Sequence, residues 1–206
     1  MECRTKLEFN SFLEKKVFLY GETNTYKTFC SAEFIQFLLE EKKIDPNLIS
    51  IIDFAPKLQT FNDLKIGGKF KDYYGKSTLC RYLDPKNEII PPRLNATNKK
   101  QLYKNACHNY NQTIPLLHTF EKAPTPYLLI NDMSIYLHLG NPAQIIKIVE
   151  KSHTFLGNSY YGKTISEKAK FARLFSLKEH LTIKHLLKYF DRAILMDCPS
   201  SNSEVH

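Results

Sequence analysis

The chain alternates short apolar runs with amphipathic stretches. VFLY at 17–20 is a continuous apolar run that stops at Gly21, the pattern of a strand buried on both faces. From Ser31 to Lys42 the residues Phe34, Ile35, Leu38 and Leu39 recur at helical spacing, and Asp45-Pro46 ends the predicted helix. LISIIDFAP at 48–56 reads as a second strand carrying Asp53, and YLLIND at 127–132 as a third closing on Asp132. HTFLG at 153–157 and RAILM at 192–196 supply a fourth and a fifth. Helical patterns fill the gaps at 98–120, with Pro115 as a break, and from Pro142 to Ser152, with proline at the first position. Two more follow at 165–175 and 177–189, the latter with Ser176 as N-cap and Glu179 three residues on.

Strands that alternate with helices predict an α/β fold, a three-layer αβα sandwich around a mainly parallel sheet, in one domain spanning 1–206. Two regions leave the pattern. Residues 57–97 lose periodicity and hold Gly67-Gly68 and Pro91-Pro92, which predicts an inserted lid with a small hairpin. Residues 198–206 are polar and predict a flexible tail. In such sheets ligands bind beyond the carboxyl ends of the strands. That rule gathers the segment after Gly21 with Asp53, Asp132 and Asn158 on one edge.

Composition narrows the chemistry. Hydrophobic residues at 43% and charged residues at 24% exclude a disordered chain. Five widely spaced cysteines without a C-x-x-C predict reduced thiols. No apolar run approaches the ~20 residues that span a bilayer, and the first residues carry acids, so the expectation is a cytoplasmic protein without a membrane partner. The formal charge is +8, and residues 62–105 hold ten Lys/Arg against four Asp/Glu. That basic segment predicts attraction to polyanions, either nucleotides or nucleic acid. The histidines lack metal-ligand spacing, and no serine sits in a G-x-S-x-G elbow, which leaves acyl transfer without support.

Three lysine motifs remain. In the first, a buried strand runs into Gly21, the loop Glu22-Thr23-Asn24-Thr25-Tyr26 follows, and Lys27-Thr28 opens a helix. The second, GNSYYGKT from Gly157 to Thr164, satisfies G-x-x-x-x-G-K-[ST] in full but follows a short apolar run late in the chain. The third, Tyr74-Gly75-Lys76-Ser77-Thr78, lies in the irregular segment with no strand before it. Context favours the first as the phosphate loop. Backbone N–H groups at a helix start favour anions, a lysine reaches terminal phosphates and a hydroxyl binds Mg²⁺.

The stretch VFLYGETNTYKT, with LLIND, resembles the P-loop NTPase superfamily, and its loop is similar to those of RecA-like and KaiC-like members. The resemblance implies ATP, or GTP, with Mg²⁺ as cofactors; the absence of N-K-x-D favours ATP. It implies that residues Gly21 to Thr28 bind the nucleotide, that Thr28 and Asp132 hold the metal, and that Lys27, Asp53 and Asp132 serve catalysis. The chain departs from the pattern at Tyr26, where the second glycine belongs. The expectation is a negative φ there, with the ring turned from the phosphates.

Three functions fit these expectations: an NTPase or nucleotide switch acting on a protein partner, a small-molecule kinase with Asp53 as base, and an inactive module binding nucleotide or nucleic acid. Arg81 and Arg93 are candidate lid arginines for stabilising charge in phosphoryl transfer.

Overall fold

The computed structural model describes residues 7–61, 64–163 and 170–196. Six parallel strands form one sheet: β1 (Lys16–Gly21), β2 (Ile49–Asp53), β5 (Arg81–Leu83), β6 (Tyr127–Asn131), β7 (Thr154–Tyr160) and β8 (Arg192–Leu195). Their order across the sheet is β5-β2-β6-β7-β1-β8. The chain is therefore α/β with helices on both faces, as the alternating pattern predicts.

Strand alternation divides the core. Val17 and Leu19 of β1, Ile49 and Ile51 of β2, Leu129 of β6 and Leu156 of β7 meet Phe34, Ile35 and Leu38 on one face. The first two of these belong to α1 (Lys27–Gln36), which continues as a wider turn over Phe37–Glu41. Their neighbours Phe18, Ile52, Leu128, Ile130 and Phe155 face the other way. They pack on Leu117 and Phe120 of α3 (Lys99–Lys122), Ile145 and Ile148 of α5 (Pro142–Glu150), and Ile183 and Leu186 of α6 (Arg173–Leu186). Each fully buried side chain of this size contributes about 2 kcal/mol.

Several expectations change. The segment 57–97 does contain a hairpin, β3 (Gln59–Phe61) with β4 (Leu64–Ile66), followed by the short helix α2 (Phe70–Tyr73). It also supplies β5, an edge strand of the main sheet, so it is more than an inserted lid. Three residues are too few to show a period. Helix α3 runs through Pro115 without a break: Pro115 and Asn111, whose carbonyl loses its partner, both lie on the exposed side, where water replaces the lost bond. The buried face from Leu102 to Phe120 continues across Pro115.

Helix α1 begins at Lys27, four residues before the predicted start. Strand β7 continues three residues past the predicted end, to Tyr160. Ser176 is no N-cap but lies inside a single helix, α6. The predicted helix at 165–175 falls partly outside the described residues, as do the tail at 198–206, Thr164, Cys3 and Cys198. Among the described residues no helix is long and apolar enough to cross a membrane.

Candidate functional site

The loop after β1 is shaped by close packing and left-handed backbone. Gly21 has φ 149°, and a Cβ there would lie 2.3 Å from the Met196 carbonyl oxygen at the end of β8. Asn24 and Tyr26 both stand at φ 60°. Tyr26 thus overturns the expectation of a negative φ: it keeps the left-handed turn that a glycine would adopt freely, at about 1–2 kcal/mol. Its ring is 52% exposed and meets Phe29 edge-on at 6.5 Å.

Lys27 and Thr28 are the first two residues of α1. The Lys27 amine folds back over the loop, donating to the carbonyls of Gly21 (3.0 Å) and Glu22 and to Thr25 Oγ1 (2.9 Å). Thr25 in turn donates to the Glu22 carbonyl at 2.8 Å. The Glu22 side chain accepts from the backbone N–H groups of Thr23 and Lys163. Glu22 therefore ties the loop to the chain leaving β7.

The two other lysine motifs lack this setting. Gly157 to Tyr160 are strand residues of β7. Gly157 is small for packing reasons, because a Cβ would lie 2.5 Å from the Phe155 ring and 2.7 Å from Met133 Sδ. The Gly75–Leu79 stretch is a 3₁₀ turn whose Lys76 pairs with Glu40 at 2.8 Å.

The acids divide into two situations. Asp53 is wholly buried and does not line the cleft. Its oxygens accept from Tyr82 Oη (2.5 Å), the N–H groups of Phe70 (2.9 Å) and Ala55 (3.2 Å), and Asn131 Nδ2 (2.8 Å). Burial pushes its carboxyl up, against the opposing effect of Tyr82, Phe70 and Asn131. Asp132 lies in the cleft wall, left-handed at φ 50°, just ahead of the short helix α4 (Met133–Leu137). It accepts from Ser134 Oγ at 2.8 Å, and its N–H donates to Asn158 Oδ1 at 2.9 Å. Burial raises this carboxyl too, opposed by Ser134, His138 and Lys27.

Asn158, buried in β7, also donates to Ser31 Oγ (3.2 Å), which donates to the Lys27 carbonyl (2.9 Å). That chain links Asp132 to the first turn of α1. The side chain that meets Thr28 is not Asp132 but Asn131: Thr28 Oγ1 donates to Asn131 Oδ1 at 3.3 Å. Sequence reasoning gave Asn131 no place in the site, yet alternation marks it. Leu129 faces the α1 layer, so the residue two positions on faces the same way.

A cleft of about 470 Å³ opens beside the loop. One wall is Thr23 to Phe29; another is Ala55, Pro56, Ile66 and Tyr73; a third holds Pro91 to Leu94, Ile135, His138 and Tyr160. In that third wall lies a buried ionic cluster. Glu179 of α6 accepts from Arg93 Nη1 (2.5 Å) and Nη2 (3.1 Å), and its Oε1 lies 2.7 Å from His138 Nε2. Burial alone would raise the Glu179 carboxyl, but Arg93 and His138 outweigh it and hold it at about 2. Arg93 also donates to Ser176 Oγ at 3.1 Å and lies over the Tyr160 ring.

Five of the ten basic residues of the 62–105 segment are engaged with the protein itself. Lys69 and Lys71 pair with Asp84, Lys76 with Glu40, and Arg93 with Glu179, while Arg81 donates to the carbonyls of Thr119 and Ala123. Among the described residues no group of three or more His, Cys, Asp or Glu side chains is placed to hold a metal. No known family model matches the chain, and a search of curated proteins finds no match either.

Proposed function

We propose that this protein binds a nucleoside triphosphate, with ATP preferred, through the loop Gly21 to Thr28, and cleaves its terminal phosphoanhydride. The carrying observation is that α1 starts at Lys27, so its N-terminus opens on the cleft beside the Lys27 amine. A helix start favours phosphate, and Lys27 beside it would exchange its three loop oxygens for phosphate oxygens. The Thr28 hydroxyl and the Asp132 carboxylate both line the cleft, and as hard oxygen donors they would suit Mg²⁺, which would neutralise charge on the phosphates. The sheet order supports the reading, since the loop after β1 and the acid after β6 converge at one edge with Asn158 of β7 between them.

The test is titration with Mg-ATP, followed by calorimetry and thermal unfolding, for the wild type, Lys27→Ala and Lys163→Ala. ATP at 100 times its dissociation constant adds about 2.7 kcal/mol of stability to a protein that binds it only when folded. That gain is expected in the wild type and in Lys163→Ala, and is expected to vanish in Lys27→Ala. Loss in Lys163→Ala alone, or no gain in the wild type, overturns the assignment.

A further inference from the structure

Two polar atoms in the third wall of the cleft are buried without a hydrogen-bond partner among the described residues: His138 Nδ1 and Arg93 Nε. Ser77 Oγ is in the same condition but lies away from the cleft. A buried polar group normally finds a partner, so two orphans in one wall ask for one. His138 and Arg93 are 2% and 5% exposed, so bulk water does not fill the role freely.

The arrangement around His138 is chemically specific. Its Nε2 meets the Glu179 carboxylate, which stays ionised because its carboxyl is held at about 2. An ionised carboxylate accepts, so Nε2 donates to it; in the neutral ring Nδ1 is then the acceptor nitrogen. A carboxylate that orients a histidine in a cleft wall, with the second ring nitrogen unmet, is the arrangement of a general base. The surrounding wall of Pro91, Pro92, Leu94, Ile135 and Tyr160 is mostly apolar.

We infer that His138 is the general base of a phosphoryl transfer, and that the third wall of the cleft takes a small hydroxyl compound as acceptor. This rests on the nucleotide reading above. The acceptor hydroxyl donates to His138 Nδ1, and Arg93 Nε donates to a second oxygen of the same molecule. The acceptor oxygen bonds to the terminal phosphorus while the bond from that phosphorus to the bridging oxygen breaks. The electron pair leaves on the nucleoside diphosphate, and the hydroxyl proton goes to His138 Nδ1. Glu179 then faces an imidazolium and stabilises it; it is a positioning residue. Asp53, the base expected from sequence, is committed to four donors and is outside the cleft wall.

The experiment uses the full chain with Mg-ATP in water and in excess glycerol, a small surrogate acceptor, with products read by phosphorus NMR. The wild type is expected to form glycerol phosphate beside inorganic phosphate. His138→Gln should lower both by about 100-fold while ATP affinity stays unchanged, since a general base contributes roughly 10²–10⁴-fold. Nitrogen NMR of the His138 ring gives a readout independent of turnover. It should show Nε2 protonated and Nδ1 bare in the wild type, and loss of that fixed tautomer in Glu179→Gln. Turnover at the wild-type rate in His138→Gln, or a protonated Nδ1 in the wild type, overturns the base. ATP binding without glycerol phosphate overturns the acceptor wall. Absence of ATP binding overturns the nucleotide reading itself, while the ring NMR still reports on the tautomer.

Discussion

Two buried polar networks stand on either side of the loop, and they are finished differently. Around Asp53, the carboxylate accepts from Tyr82, Phe70, Ala55 and Asn131, and none of those donors is left over. Around Glu179 the carboxylate is equally engaged, yet its partners Arg93 and His138 each keep one buried nitrogen unmet. An unmet buried group costs about 1–3 kcal/mol. The first network closes the fold by joining β2, β5, β6 and α2. The second carries the cost of two unmet groups. The difference separates an acid whose partners are all met from a cluster with two unmet nitrogens in the cleft wall.

The largest effect expected from this contrast is on stability. Glu179→Ala leaves the Arg93 guanidinium buried and uncompensated, and urea unfolding should show a loss of about 3–5 kcal/mol. Replacing both partners, as Arg93→Met with Glu179→Leu, should restore most of that loss, because no charge is then stranded. Asp53→Asn keeps one acceptor oxygen and strands no charge, and its loss should be smaller, about 1–3 kcal/mol. Equal losses in the two single variants would remove the distinction between the networks.

Acidification sharpens the contrast by sign. Glu179 has a depressed carboxyl, at about 2 against an ordinary 4.5. Its contribution is complete above 4.5 and is lost as pH falls toward 2, a change of about 3 kcal/mol at most. Asp53 and Asp132 are shifted upward, so they take up protons in the folded state before the unfolded chain does. Their effect is a gain in stability as pH falls toward their ordinary value of 3.8. Urea unfolding from neutral to about pH 3 should therefore show a weaker acid loss in Glu179→Gln and a weaker acid gain in Asp53→Asn. The same slope in both variants would mean the two networks titrate alike.

The contrast also explains what the sequence could tell. Asp53 and Asp132 were visible because apolar strands ended on them, and the loop because a buried strand ran into glycine and then Lys27-Thr28. The sheet was visible apart from β5, whose three residues hold no readable period. The Glu179 cluster was not visible, since residues 93, 138 and 179 come from three separate elements and meet only through packing of α6 against the end of α4. No local spacing encodes such a meeting. Burial itself was also unreadable: Glu179 looked like a capping partner to Ser176, while the helix actually runs through both.

Between the two networks lies the smallest cost, the left-handed backbone of Tyr26. Two substitutions separate its backbone from its ring. Tyr26→Gly relieves about 1–2 kcal/mol of left-handed strain, but the freer unfolded chain gives back about 0.5–1 kcal/mol. The net expectation is a gain of about 0.5 kcal/mol in thermal or urea unfolding. Tyr26→Ala removes the same ring while keeping a Cβ at φ 60°, and the half-exposed ring meets Phe29 edge-on. Its stability should fall by a few tenths of a kcal/mol or stay level. A gain in the glycine variant and none in the alanine variant locates the strain in the backbone, where a loop prepared for phosphate would carry it. A gain in both would mean that the ring, rather than the turn, burdens the loop, and the loop would then resemble the Glu179 cluster less than the fully met network around Asp53.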